Sequence, residues 1–343
     1  MARMSTGRLS PTHVAAAFGV AAQPAAPQIA VILPCRNEAA SIAKVVRDFK
    51  AALPGATVHV CDNDSTDGSA ELAASAGAVV HCERLAGKGN VVRRLFSDVE
   101  ADVYVLADGD DTYDHTSAAT LVHRLLEEGL DMVVGVRVSD RPEAYRTGHR
   151  LGNYVLTKIV RMVFGDRISD MLSGYRVLSR RFVKSFPALT TGFETETELT
   201  IHALELRMPI VEVPTPYRER PPDSKSKLNT IRDGWRILRT ILLLVKEERP
   251  LKFFAALALL LAATSMALAW PLLVTYIETG LVPRMPTAIL ATGLMLVAFL
   301  SLTCGAVLDT VTRGRRELKR LYYLGIAGPA AGRSVHRASS KSP

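Results

Sequence analysis

From Gln28 onward, short apolar runs rich in β-branched residues alternate with stretches that place apolar residues at helical spacing. Ile29–Leu33, Thr57–Cys61, Ala78–Cys82, Val103–Ala107 and Met132–Val136 predict strands. Ser41–Ala52, Ser69–Ala76, Gly89–Val99 and Ser117–Glu128 predict the helices between them. Strands with so few polar positions are buried on both faces, so the alternation predicts an α/β fold with a parallel sheet covered on either side. The crossovers should be right-handed. A helix near Asn153–Phe164, another near Thr197–Arg207 and a strand at Ile210–Val213 extend this body. Residues 1–27, rich in Ala, Pro and Ser, read as a disordered leader; the apolar stretch Val14–Ala22 is taken as part of it rather than as a secretory segment.

The pattern changes after residue 227. Leu228, Ile231, Trp235, Leu238, Leu242 and Val245 repeat at alternating spacings of three and four, with Arg232, Arg236 and Arg239 off the stripe. Such a helix, at 228–250, suits a membrane interface. Phe253–Ile277 and Met285–Leu308 contain no charged residue, and each exceeds the roughly 20 residues needed to cross hydrocarbon. They predict a two-helix hairpin over 251–310, followed by a basic tail, 311–343.

Charge sharpens this division. The chain carries 42 Lys/Arg and 34 Asp/Glu, a net +8. Residues 218–252 contribute 10 − 5 = +5 and residues 309–343 contribute 8 − 2 = +6, which leaves 8 − 11 = −3 for the rest. Basic charge therefore flanks the apolar hairpin, which suits an anionic membrane surface and not a nucleic-acid partner. By the positive-inside rule the body and both termini should be cytoplasmic, in a multi-pass protein. The four cysteines form no CxxC pair, so neither a zinc site nor a disulfide framework is expected.

Polar clusters stand where three strands should end: Pro34-Cys35-Arg36-Asn37-Glu38, Asp62-Asn63-Asp64-Ser65-Thr66-Asp67-Gly68 and Asp108-Gly109-Asp110-Asp111. Ligands of open α/β sheets bind beyond the carboxyl ends of strands, so the three imply one crevice. Two carboxylates one residue apart suit a hard divalent cation, whose remaining positions phosphates and water fill. Asp108 and Asp110 are thus the candidate metal ligands, for Mg²⁺ or Mn²⁺. Gly87-Lys88-Gly89 is no Walker A loop, and no GxGxxG follows the first strand. Lys88 meets either a phosphate or an acidic group, with a plain turn as an equal alternative.

In these motifs the chain resembles the family-two inverting glycosyltransferases, in the branch of dolichyl-phosphate mannose synthase and the bacterial polyprenyl-phosphate glycosyltransferases. Pro34–Glu38 resembles that family's P-x-x-N-E opening, Asp62–Ser69 its D-D-G-S-x-D-G-T segment, Ala86–Asn90 its glycine–lysine–glycine turn and Asp108–Asp110 its DxD. Gly135-Val136-Arg137, Asp170–Arg176 and Tyr217–Lys227 match later landmarks in order. The likeness spans about residues 28–250. It implies a GT-A-type Rossmann-like, mixed and mostly parallel sheet, with a catalytic domain over 28–227. It further implies that Pro34, Arg36, Glu38, Asp62, Lys88 and Asp108 line the nucleotide pocket, and that Asp108 and Asp110 hold donor and metal. Arg137, Arg150, Arg220, Ser226 and Lys227 would engage phosphates, with Arg137 and Arg220 counted among the catalytic groups. Asp64 stands where the family usually has Gly, and Thr112 where it often has Gln.

The resemblance implies transfer of one sugar from a nucleotide sugar, UDP-linked by preference and GDP-linked as second choice, to a polyprenyl phosphate such as undecaprenyl phosphate. The expected location is the cytoplasmic face of a bacterial inner membrane. Glu194, Glu196 and Glu198 are not expected to supply a base. A processive polysaccharide synthase is excluded, because its Q-x-x-R-W motif needs a glutamine and only Gln23 and Gln28 exist. A membrane-anchored nucleotide-binding scaffold without turnover is the alternative.

Overall fold

A computed structural model of the chain describes residues 26–138, 168–192, 194–218 and 230–329, together with Lys158. Seven strands form one sheet: β1 (Ile29–Cys35), β2 (Thr57–Asp62), β3 (Val79–Cys82), β4 (Val103–Leu106), β5 (Met132–Val138), β6 (Arg176–Ser179) and β7 (Ile210–Pro216). Their order is β3-β2-β1-β4-β6-β5-β7. All neighbours run parallel except β6, which is antiparallel to both β4 and β5.

Alternation along the strands sets the two cores. Val31 and Leu33 of β1 face α1 (Ile42–Ala52) and α4 (Ser117–Glu127), packing with Val45, Phe49 and Leu121. Ala30 and Ile32 face the other way, toward α3 (Lys88–Asp98), α5 (Arg180–Ser185) and α6 (Thr195–Glu205), with Leu95, Phe182 and Leu199. The short α2 (Ser69–Ser75) closes the β2–β3 side through Ala73. The order in which strands are added reverses between β1 and β4, which run parallel, and such a switch point is where a crevice forms at the carboxyl ends.

The structure differs from the sequence-based expectation in two places, and a third expectation is untested. Strand β6 and helix α5 were not predicted, because β6 has four residues and opens on an arginine. Arg176 is nevertheless fully buried. The expected helix at Asn153–Phe164 lies outside the described residues, Lys158 apart. The basic segment after the second apolar run is not simply a tail: the last helix continues through it.

Beyond the body, α7 (Thr230–Glu248) leads into α8 (Pro250–Thr279) and α9 (Met285–Leu324). The hairpin packs through small residues. Ala258 and Ser265 of α8 and Ala291, Ala298 and Gly305 of α9 are buried. The Ser265 hydroxyl donates to the Ala291 carbonyl at 2.7 Å. A methyl group at Gly305 would stand 2.8 Å from the Phe254 Cβ, so only glycine permits this approach. Both helices are long and apolar enough to cross a membrane, and only 17% of the most apolar window of each is buried. Core helices of a soluble protein would bury most of theirs.

The far end of α9 is fastened to the body. Arg316 and Lys319 meet Glu205 at 3.3 and 2.9 Å, while Arg315 and Lys319 meet Glu248 at 2.9 and 3.2 Å. The Tyr323 hydroxyl donates to Asp131 at 2.6 Å, and Arg181 pairs with the same carboxylate while lying 4.7 Å from the Tyr323 ring centre. Much of the positive charge that reads as membrane-flanking is thus matched by carboxylates of the body and of α7. Burial, with Glu205 alongside, pushes the Glu248 carboxyl up to about 7.

Candidate active site

The crevice is floored by loops that clasp one another. The Glu38 N–H donates to the Ser69 hydroxyl at 2.8 Å, Asn37 N–H to Ser65 at 2.9 Å and Ala39 N–H to Asp67 at 3.0 Å. In return Thr66 N–H donates to the Asn37 side chain at 2.8 Å. Ser41, just beyond, donates to the Gly109 carbonyl at 2.8 Å, tying the first loop to the DxD turn. Tight reversal at these ends demands left-handed backbone. Asn37, Asp64 and Asp111 have φ of 50, 57 and 59°. Asn and Asp tolerate that region best after glycine, which accounts for Asp64 standing where a glycine is usual.

Asp62 ends β2 and is buried. Its Oδ2 accepts from the Ser65 N–H at 3.0 Å, whereas its Oδ1 is buried with no hydrogen-bond partner among the described residues. A desolvated carboxylate oxygen left this way is costly unless a ligand supplies a donor.

Lys88 opens α3 and reaches across the crevice. Its ammonium lies 2.5 Å from Asp108 Oδ1 and 2.5 Å from Glu196 Oε1. Burial opposes its charge, but Asp108 and Glu196 outweigh that and hold its pKa above the ordinary lysine value. Of the two partners left open by sequence, phosphate or acid, the structure supplies the acids. The turn before it admits no side chain at Gly87, where a Cβ would stand 2.1 Å from the Thr191 carbonyl and φ is +129°. Glu198 braces that neighbouring segment, accepting from the Leu189 and Thr190 N–H groups at 2.8 and 2.9 Å.

Asp110 is buried, with Oδ1 fixed by the Thr112 hydroxyl at 2.6 Å. Thr112 therefore orients the carboxylate. Asp108 stays partly open, its side chain 27% exposed. Gly174 presses against it from behind, where a Cβ would come within 2.9 Å of Asp108 Oδ2, and the Gly174 N–H donates to the Tyr113 hydroxyl at 2.8 Å. The pair offers hard oxygen donors just past a strand end, a donor set that fits Mg²⁺ or Mn²⁺. A second group, Asp48, Asp111 and His115, brings three ligand atoms within 4.8 Å, but the Lys44 ammonium already sits 2.8 and 2.9 Å from its two carboxylates.

Arg137 lies at the end of β5, its guanidinium gripped by Asp170 through two bonds of 2.8 and 2.7 Å and lying 5.7 Å from the Tyr217 ring centre. Arg176 is buried beneath the floor, donating to the Ser173 and Met171 carbonyls and the Thr200 hydroxyl at 3.0, 2.7 and 2.9 Å. Burial lowers its pKa to about 10, although Glu196 and Asp170 act to raise it.

The structure thus gathers Glu38, Lys88, Asp108 and Asp110 around one floor, with Pro34 in β1, Arg36 exposed just past it, Asp62 at the end of β2 and Arg137 at the end of β5. Arg150, Arg220, Ser226 and Lys227 lie outside the described residues. Sequence reasoning assigned no role to Tyr113, Arg176 or Glu196. Glu196 sits 108 positions from its Lys88 partner, and no local pattern signals such a pair.

The model of the family described as glycosyl transferase family 2 matches residues 30–186. The glycosyltransferase AglJ of Haloferax volcanii is 35% identical over 243 residues, covering 70% of this chain and 80% of its own. The chain belongs to glycosyltransferase family 2. The protein RfbJ of Shigella flexneri is 55% identical over 123 residues, 36% of this chain and 95% of its own. A dolichyl-phosphate hexose transferase of Haloferax volcanii is 28% identical over 221 residues, 64% of this chain and 95% of its own. Among solved structures, glucosyl-3-phosphoglycerate synthase from Mycobacterium tuberculosis, in complex with Mn²⁺, UDP-glucose and phosphoglyceric acid, is 25% identical with a TM-score of 0.52. That match covers 64% of this chain and 79% of the other. The family-two enzyme therefore has the mixed, mostly parallel GT-A architecture, joined to two candidate membrane spans.

Proposed function

We propose that this family-two glycosyltransferase moves a single sugar from a nucleotide sugar, UDP-linked by preference, onto a polyprenyl phosphate at the cytoplasmic face of a bacterial membrane, with inversion. One observation carries this function: the carboxylate-lined crevice belongs to a body bolted through Glu205, Glu248 and Asp131 to a helix long and apolar enough to span a bilayer. A water-soluble acceptor would require no such fastening.

The chemistry is one of charge management. A phosphate monoester has its second pKa near 6, so the acceptor is largely dianionic at neutral pH and needs no strong base. Two anions must then meet. Asp108 and Asp110 would hold Mg²⁺ or Mn²⁺, which when bound neutralises charge on the departing nucleoside diphosphate. Lys88, 2.5 Å from Asp108 Oδ1, fixes the direction of that carboxylate. Asp62 Oδ1 accepts a hydrogen bond from the base or ribose, with Pro34, Arg36 and Glu38 around the nucleotide. Asp170 sets the plane of the Arg137 guanidinium, which joins Arg150, Arg220, Ser226 and Lys227 as the phosphate-binding set. In-line attack on an α-linked donor gives a β-linked lipid product.

The test is incubation of the purified full chain with Mn²⁺, undecaprenyl phosphate and a panel of UDP- and GDP-sugars. Expected is a glycolipid of inverted configuration with one donor. Nucleotide binding without glycolipid from any donor would overturn the proposal and favour a scaffold.

A further inference from the structure

Helix α9 has two apolar faces on different sides, and the described residues cover only one. Ala291, Ala298, Gly305 and Thr312, seven apart, face α8 and the end of α7; the Thr312 hydroxyl donates to the Glu247 carbonyl at 3.0 Å. On the far side runs a heptad repeat. Val297, Cys304, Val311 and Leu318 occupy its a positions, and Leu300, Val307, Gly314 and Leu321 its d positions. The six large apolar side chains and Cys304 are exposed, and nothing lies within 4 Å of where a Gly314 Cβ would stand.

Lipid accounts for the first half of that seam and not for the second. The uncharged stretch Met285–Leu308 already measures about 36 Å at 1.5 Å per residue, more than the roughly 30 Å of hydrocarbon. Leu318 lies ten residues past Leu308, hence about 15 Å further along the axis. That exceeds the headgroup layer of about 5–8 Å per side. Leu318 is nonetheless 69% exposed and Leu321 66%. Seven charged residues occur between Asp309 and Leu324, and none falls at a or d. Arg316, Lys319 and Tyr323 instead point to the chain's own body.

We propose that a second copy of this chain covers the seam, through a parallel two-stranded coiled coil of α9 that begins in the membrane and continues into the cytoplasm. A shared membrane orientation makes parallel alignment obligatory for two copies. A 3.5-residue repeat free of charge is self-complementary under that alignment, and valine at two of its four a positions with leucine at two of its four d positions leans toward two strands. The body is held by other positions of α9, Arg316, Lys319 and Tyr323, so pairing along the seam does not compete with that attachment. This assignment is independent of which sugar or acceptor the enzyme uses.

The experiment is copper-phenanthroline oxidation of the full chain in its membrane, in a Cys82→Ser background. The a-position Cys304 should face the partner's Cys304 and give a disulfide-linked dimer. In a Cys82→Ser, Cys304→Ser background, Leu318→Cys should give the same dimer, at least tenfold more than Arg313→Cys, which lies off the seam. Leu318→Glu with Leu321→Glu should turn the nanodisc-embedded dimer into a monomer of unchanged thermal midpoint; both positions are exposed, so folding is preserved. Equal crosslinking at 313 and 318, crosslinks only to another protein, or a wild-type mass of one chain per nanodisc would each overturn the proposal.

Discussion

The crevice and the junction beneath α9 are both built from buried carboxylates met by cations, and they end in opposite states. At the junction, Glu205 and Glu248 are enclosed by Arg315, Arg316 and Lys319, with Arg181 and Tyr323 closing on Asp131 nearby. In the crevice the Lys88 ammonium serves two carboxylates, Asp62 keeps an oxygen without a hydrogen-bond partner among the described residues, and Asp108 remains partly open. Three cations on two carboxylates fasten the junction, although Glu248 Oε2 too is buried without a hydrogen-bond partner among the described residues; one ammonium between two carboxylates, with one of them partly open, leaves the crevice able to receive a further cation. The difference is one of balance, since the residue types are the same.

That contrast can be broken by substitution. Asp110→Asn should have the largest effect on activity, lowering turnover by about 10³-fold, the scale of one lost electrostatic stabiliser. A glycolipid assay checks this, with melting temperatures showing the fold unchanged. Lys88→Met leaves two carboxylates facing each other without their cation. It should cost on the order of 3 kcal/mol, the lower end for a broken buried pair because Asp108 is partly exposed, as read by urea denaturation. Added Mn²⁺ should recover part of that loss if the crevice is short of positive charge. Gly174→Ala should push Asp108 aside, costing about 1–3 kcal/mol as an overpacking strain and weakening Mn²⁺-dependent nucleotide binding, measured by calorimetry.

The smallest effect concerns pH at the junction. Glu248 titrates at about 7 in the folded chain against an ordinary 4.5, because burial and Glu205 disfavour its charge. Its contribution is therefore complete below about 4.5 and is lost as pH rises through about 7. His202, which burial lowers to about 3, acts the other way: its contribution is present above about 6.5 and is lost as pH falls toward 3. Glu248→Gln isolates the first trend. The wild type should lose melting temperature relative to the variant between pH 5 and 7.5, with no further divergence above. A difference constant across that range would show the junction carboxyl to be ionised throughout.

The sheet was legible to the extent that its strands are apolar. Five strands and four helices of the first half follow from alternation, and the strand-end clusters from composition. What escaped notice has a common cause. Strand β6 is four residues long and starts on Arg176, whose burial is made possible by carbonyls from Met171 and Ser173 folding over it. Thr112 and Asp64 look like departures from a family pattern until the DxD hydrogen bond and the positive φ at 57° are seen. The basic residues after Leu308 read as a membrane flank, yet Arg316 and Lys319 spend their charge on Glu205.

Periodicity and the uncharged lengths of Phe253–Ile277 and Met285–Leu308 were enough to determine the parallel α/β body and the apolar hairpin that follows it, and the order of polar motifs to predict the strand ends where a site should lie. Each of these is a local property, fixed by neighbours a few residues away along the chain. Which cation meets which carboxylate was decided only by the folded chain, as Lys88 with Glu196 and Lys319 with Glu205 show. Such pairs join residues about a hundred positions apart, and their energy depends on distance and burial, which exist only once the sheet has brought the segments together.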